Sequence, residues 1–200
     1  MKLGFFASHR GSNMQAVIDA CRDGRLHAAP VVAICNNHDA EALERARHEG
    51  LAAYHLSGVT HPDPDALDAA ICAALTRHGV ELVLLAGYLK KLGPRTIARY
   101  RGRIVNVHPA LLPKFGGQGM YGARVHEAVL AAGDRETGVS IHVVDEEYDH
   151  GAVLAQCRVP VAPDDTVETL GARVLAREHL FLVETLEAIA TGALKLPTAR

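Results

Sequence analysis

The chain is 200 residues long, 48% apolar and 22% charged, with a formal net charge of −2. That is the length of one large domain with enough apolar side chain for a substantial core, and it excludes a disordered chain. Acidic and basic residues are interspersed, which excludes a nucleic-acid footprint or a polybasic membrane patch, so an anionic ligand has to be held by a local site.

Cys21, Cys35, Cys72 and Cys157 form no CxxC pair and each falls in an apolar stretch, which reads as buried free thiols in a reducing compartment. The start, MKLGFF, runs directly into a strand-like segment, and no apolar run reaches membrane-spanning length. A cytoplasmic protein with no membrane and no nucleic-acid partner is expected, either a monomer or a homodimer.

In chain order, residues 3–7 are a short apolar run, and 12–21 carry Met14, Val17, Ile18 and Cys21 on one helical face. Residues 31–35 are a second apolar run, 39–48 read helical and stop at Gly50, and 53–56 are a weak strand. Residues 64–75 read helical, while 82–86 (LVLLA) and 104–107 are strongly apolar strands. Strands separated by helices of this length predict βαβ units, right-handed crossovers and a parallel sheet buried on both faces.

After Pro109 the rhythm changes. Residues 111–124, LLPKFGGQGMYGAR, hold four glycines and predict a long, partly ordered loop of the kind that carries function. A short helix over 126–132 follows, then strands over 139–144 and 152–160 split by an acidic turn, and a long amphipathic helix over 166–190. The fold class expected is therefore α/β: a Rossmann-like, doubly wound, mostly parallel sheet with helices on both faces, closed by a C-terminal strand pair and a long helix. Residues 1–200 form one domain, with halves 1–108 and 109–200.

Three constellations carry chemistry. Gly11, Ser12 and Asn13 open the first helix directly after the first strand, where unpaired backbone N–H groups and the helix dipole make an anion cradle. Open α/β sheets bind ligands at that edge, although Ser12 and Asn13 would equally cap the helix. Asn106 and His108 stand two apart on an interior strand, so both side chains share one face at its C-terminal end. A carboxamide that donates to a developing oxyanion beside an imidazole that carries a proton suits a tetrahedral intermediate at an acyl or formyl carbon, unless the pair merely braces the following loop. The third is the acidic turn Asp145, Glu146, Glu147, Tyr148, Asp149, His150, Gly151, either a solvated hairpin or a carboxylate source that raises the pKa of a nearby imidazole. His108, His126, His142 and His150 are numerous, but no HExxH or HxH spacing occurs, and the reading carries no metal. His126 and His142 read as core or supporting histidines. No GxSxG occurs, so covalent catalysis is not supported.

Five segments, GSNMQAVIDA, LVLLAGYLKKL, IVNVHPALLPKF, TGVSIHVVDEEYDHGAVLAQ and ARVLAREH, stand in an order and spacing that resembles the folate-dependent phosphoribosylglycinamide formyltransferases over nearly the whole chain. The Asn-x-His-Pro-x-Leu-Leu-Pro core marks the wider group of formyl-folate hydrolases and transferases; the GSN loop and the last Arg-Glu-His point to the phosphorylated-glycinamide branch. The resemblance implies a catalytic trio of Asn106, His108 and Asp149. It implies a phosphoribosyl site in the first half at Gly11, Ser12 and Asn13, with Glu178 from the second. It implies a folate site at Leu89, Lys90, Lys91, Leu92, Asn106, Asp145 and Asp149. The co-substrate implied is 10-formyltetrahydrofolate, whose formyl group would pass to the amine of 5'-phosphoribosylglycinamide in purine biosynthesis, with Asp149 raising the pKa of a protonated His108. The chain departs from the family pattern at His61-Pro62-Asp63-Pro64-Asp65, where an arginine often meets the folate tail, at Lys90 in place of arginine, and at Leu175 in place of a polar residue. The competing readings are a formyltetrahydrofolate hydrolase, a formyltransferase for another amine, and a silent folate- or nucleotide-binding module.

Overall fold

The computed structural model describes residues 1–197. Its elements run β1 Lys2–Ala7, α1 Ser12–Arg22, β2 Ala29–Cys35, α2 Glu41–His48, β3 Ala52–His55, α3 Pro64–Arg77, β4 Leu82–Leu85, α4 Pro94–Arg99 and β5 Ile104–His108. The second part is α5 Ala123–Ala131, β6 Glu136–Val143, β7 Val153–Pro160 and α6 Val167–Ala190. The strands form one seven-stranded sheet in the order β3-β2-β1-β4-β5-β6-β7. Pairings are parallel from β3 to β5 and antiparallel from β5 to β7. The doubly wound, mostly parallel sheet with an appended strand pair is thus the architecture observed.

Both faces are dry because the strands alternate between two cores. Leu3, Phe5, Ala7, Leu82, Leu84, Val105 and Val107 pack with α1, α2 and α6. Phe6, Val83, Leu85 and Ile104 pack with α3 and α4 on the other side. This period-two division is what continuous apolar strands such as LVLL require.

Local chemistry sets the helix ends. Asp63 caps α3 by accepting from the Asp65 N–H at 3.2 Å, with Pro64 in the first turn. Thr166 and Thr169 cap α6 reciprocally, at 2.9 and 3.2 Å. Helix α4 is absent from the sequence reading because six residues are too few to show a period. It is held from outside: Asp68 of α3, 5% exposed, accepts from the N–H groups of Arg95 and Thr96 at 2.7 and 3.0 Å. Helix α5 begins at Ala123, earlier than expected, directly after Gly122. The four cysteines are free as expected, but only Cys35 is buried, Cys21, Cys72 and Cys157 being half-buried; no helix among the described residues is long and apolar enough to cross a membrane.

Candidate functional site

Strand β5 lies between β4 and β6, and Asn106 and His108 continue the face of Ile104 at its C-terminal end. Across the antiparallel pairing, Asn106 sits opposite His142 and His108 opposite Ser140. Such cross-strand neighbours share a face, and Asn106 Nδ2 lies 3.0 Å from His142 Nε2. His142 Nδ1 lies 3.0 Å from the Val143 carbonyl, so with that nitrogen donating, Nε2 is free to accept from the carboxamide. Ser140 is buried and pins the loop after β5: its hydroxyl donates to Ala110 O at 2.6 Å and accepts from Leu112 N at 2.9 Å and from Gln156 Nε2 at 2.8 Å. The pinned loop brings the Phe115 carbonyl to 2.8 Å from His108 Nε2.

The acidic turn between β6 and β7 delivers Asp149 to the same point. Asp149 takes a left-handed backbone, φ 55, and its Oδ2 accepts from the Gly117 N–H at 2.9 Å. Its oxygens lie 3.6 Å from His108 Nδ1 and 3.4 Å from His142 Nε2. Asn106 Nδ2 donates to its Oδ1 at 3.4 Å. Both ring nitrogens of His108 therefore face acceptors, an arrangement that only the imidazolium satisfies in full. Burial opposes it: His108 is 3% exposed, and desolvation holds its pKa below the ordinary imidazole value against the pull of Asp149 and Phe115. The expected raising by Asp149 thus operates, but burial outweighs it. Burial pushes Asp149 up, but its contacts with His142 and His108 and the Gly117 N–H together outweigh that and hold it below the usual carboxylate range.

Gly11 takes φ 70 ahead of α1, and a Cβ there would lie 2.7 Å from that of Ala42. Only glycine allows this entry. No side chain caps α1, so Ser12 does not act as the helix cap considered above. Asn13 donates to Glu178 Oε1 across the α1–α6 contact. Burial of Glu178 pushes its pKa up to about 7.

These groups line one cleft of about 840 Å³ at the C-terminal edge of the parallel strands, where open α/β sheets bind. Leu89, Lys90, Lys91, Leu92, Asn106, His108, Asp145, Asp149, Asn13 and Glu178 all contribute to its wall, while Gly11 and Ser12 stand behind Asn13 and do not. Behind the wall, Ser8 accepts from the Leu89 N–H at 2.8 Å and donates to Asn36 Oδ1 at 2.6 Å. Lys91 stands 5.9 Å from the Tyr148 ring centroid on the acidic turn. Sequence reasoning missed Arg10, Tyr88 and Arg124 as lining residues, and it left His126 and His142 as support although both line the cleft. The one available signal was the glycine-rich loop, which brings in Arg124 and His126. Among the described residues, no three His, Cys, Asp or Glu side chains gather as a metal site.

The Formyl transferase family model matches residues 1–186. The chain is 41% identical over 195 residues to the chloroplastic phosphoribosylglycinamide formyltransferase of Arabidopsis thaliana, covering 97% of this chain and 67% of that one. It is 35% identical over 196 residues to the phosphoribosylglycinamide formyltransferase of Escherichia coli K12, covering 98% and 90%. Among solved structures, glycinamide ribonucleotide transformylase 1 from Symbiobacterium toebii matches with a TM-score of 0.91 at 36% identity, covering 99% of this chain and 91% of that one.

Proposed function

The chain belongs to the formyl transferase family, and from that premise and the cleft's geometry we propose that it moves the formyl group of 10-formyltetrahydrofolate onto the amine of 5'-phosphoribosylglycinamide. The product is 5'-phosphoribosyl-N-formylglycinamide, a step of purine biosynthesis. The observation that carries this reading is the convergence of Asn106, His108 and Asp149 in a cleft that the Asn13–Glu178 pair also lines.

The amine nitrogen attacks the formyl carbon, forming a C–N bond and placing negative charge on the formyl oxygen. Asn106 has two amide hydrogens, directed at His142 and, at the longer 3.4 Å, at Asp149. The weaker of the two turns to the oxyanion, and His108 supplies a second donor by turning a ring N–H from Phe115 or Asp149 to it. His108 does not need its proton beforehand, because an oxyanion forming beside it raises its proton affinity as charge develops. The C–N bond to the folate then breaks, and the proton lost by the attacking nitrogen is returned to the leaving nitrogen, with His108 and Asp149 as relay. Alignment of two bound substrates supplies much of the remaining acceleration.

The pterin end of the folate lies against the wall formed by 89–92 and the acidic turn, with Lys90 and Lys91 as the cations nearest its acidic tail. The amine's phosphoribosyl group lies toward Gly11, Ser12 and Asn13, with Glu178 at the sugar hydroxyls. The four free thiols fit a reducing compartment such as the cytoplasm. The test is loss of the formyl group from the folate, followed with and without the phosphorylated amine. Turnover requires the amine, and Asn106→Ala or His108→Ala lowers kcat by about 10²–10³. Rapid turnover on water alone would make the protein a hydrolase.

A further inference from the structure

The α6 wall of the cleft includes the stripe Gly171, Leu175 and Glu178, spaced i, i+4, i+7. A different helix abuts each end of it. Glu178 takes its hydrogen bond from Asn13 in the first turn of α1. At Gly171 a Cβ would lie 3.1 Å from His126 Cδ2, so the His126 ring, in the first turn of α5, packs on bare backbone. The two contacts are seven residues apart, about 10 Å along the helix. The starts of α1 and α5 therefore both abut the α6 wall of the cleft.

Both starts are built alike. Each follows a glycine, Gly11 or Gly122, that provides no side-chain cap, and neither has an acidic residue in its first turn. Their first N–H groups and positive dipole ends are left for something else. An arginine stands at each: Arg10 immediately before Gly11, and Arg124 as the second residue of α5, both lining the cleft. Among the described residues neither has a carboxylate within 4.0 Å. The Arg124 guanidinium instead rests 5.1 Å from the Tyr121 ring centroid. One buried polar atom here, His126 Nδ1, has no partner in a residue only 7% exposed, and as an N–H it can donate to a phosphate oxygen; the equally unpartnered Asn13 Oδ1 is an acceptor and suits a ligand hydroxyl instead. Of the two carboxylates nearby, Glu178 is turned to Asn13, and Glu168 is held at the start of its own helix by its own N–H and by Thr166. Leu175, between the two arginines' helices, offers an anion nothing.

Resting on the transfer to a phosphorylated amine described above, we propose that Arg10 and Arg124 are the specificity-determining cations for the substrate's phosphate, which is clamped between the starts of α1 and α5. A phosphate monoester carries nearly two negative charges near neutral pH, and a chain of net charge −2 has no global field to attract it. Two guanidinium forks and two helix starts match that charge and its oxygens locally.

Binding of ribose 5-phosphate, measured by titration calorimetry, reads this site without any formyl transfer. Arg10→Gln and Arg124→Gln are each expected to weaken it by about tenfold or more, the usual loss for a charge-assisted hydrogen bond. Arg101→Gln, which removes an exposed arginine outside the cleft, leaves it unchanged. In steady-state assays the same two variants raise KM for the phosphorylated amine and not for the folate. Unchanged ribose 5-phosphate binding in either variant, no binding by the parent, or an equal loss in Arg101→Gln overturns the proposal. If the parent binds ribose 5-phosphate with the expected losses but does not formylate the phosphorylated amine, the phosphate clamp stands and the proposed reaction falls.

Discussion

Replacing Glu178 by glutamine separates what this residue does for the substrate from what it does to the fold. Glu178 is 6% exposed and is paired only with the Asn13 amide among the described residues. Desolvation, opposed weakly by that hydrogen bond, moves its pKa from 4.5 to about 7. A carboxyl whose folded pKa lies above its unfolded value contributes stability below the unfolded pKa and loses it as pH rises through the folded one. The window here runs from 4.5 to about 7. A shift of that size, at 1.36 kcal/mol per unit, sets a ceiling of roughly 3 kcal/mol on the penalty of the buried charge in alkaline solution. Glutamine keeps the shape, accepts from Asn13 and cannot ionise. Glu178→Gln should therefore be more stable than the parent at about pH 8.5, by up to roughly 3 kcal/mol, and nearly equal at about pH 5. For a chain of this size that is a gain of roughly 6–10 °C in Tm. Under the proposed reaction the same variant should bind the acceptor amine less well, because it removes the carboxylate proposed to meet the sugar hydroxyls. Thermal melts at the two pH values and the KM for the amine check both halves. A stability gap that is the same at both pH values, or a variant less stable in alkali, would refute the account of Glu178 as a strained, buried acid.

Asp149 is the main charge holding the pKa of His108 up against burial, so Asp149→Asn should shift the limb of the kcat profile that reports His108 to lower pH. An unshifted limb in a folded, weakly active Asp149→Asn would remove Asp149 as the partner of His108. On the far side of the sheet, Asp68→Ala strips the start of α4 of its acceptor and leaves the buried Thr96 N–H unpaired. Urea unfolding should show a loss of roughly 3 kcal/mol without a change in the folate KM; an unchanged midpoint would mean that water replaces the carboxylate.

The fold was legible where local pattern and global architecture agree. Residues 82–85, and Ile104, Val105 and Val107 of β5, are apolar on both faces because both faces are covered, and helices separate the strands. Helix α4 was not legible because its stability comes from Asp68 on a neighbouring helix, a contact 28 positions away from Thr96. The early start of α5 was hidden for a similar reason: a glycine-rich stretch reads as loop until the packing of His126 on Gly171 gives it a helix to lean on.

The site divides along the same line. Asn106 and His108 could be paired from their spacing alone, since a strand's period places them on one face. Their partner His142 could not, because antiparallel register fixes it opposite Asn106, and register is a property of two strands. The electrostatics went further astray. A carboxylate beside an imidazole predicts a raised pKa, yet the net shift of His108 is downward, because the loop pinned by Ser140 shuts it from water. Burial that disfavours the resting imidazolium is consistent with catalysis rather than opposed to it. A proton held loosely before the reaction, and strongly once negative charge appears on the formyl oxygen, contributes differentially to the transition state. A His108 already fully charged at rest would hold the same proton in both states and contribute less.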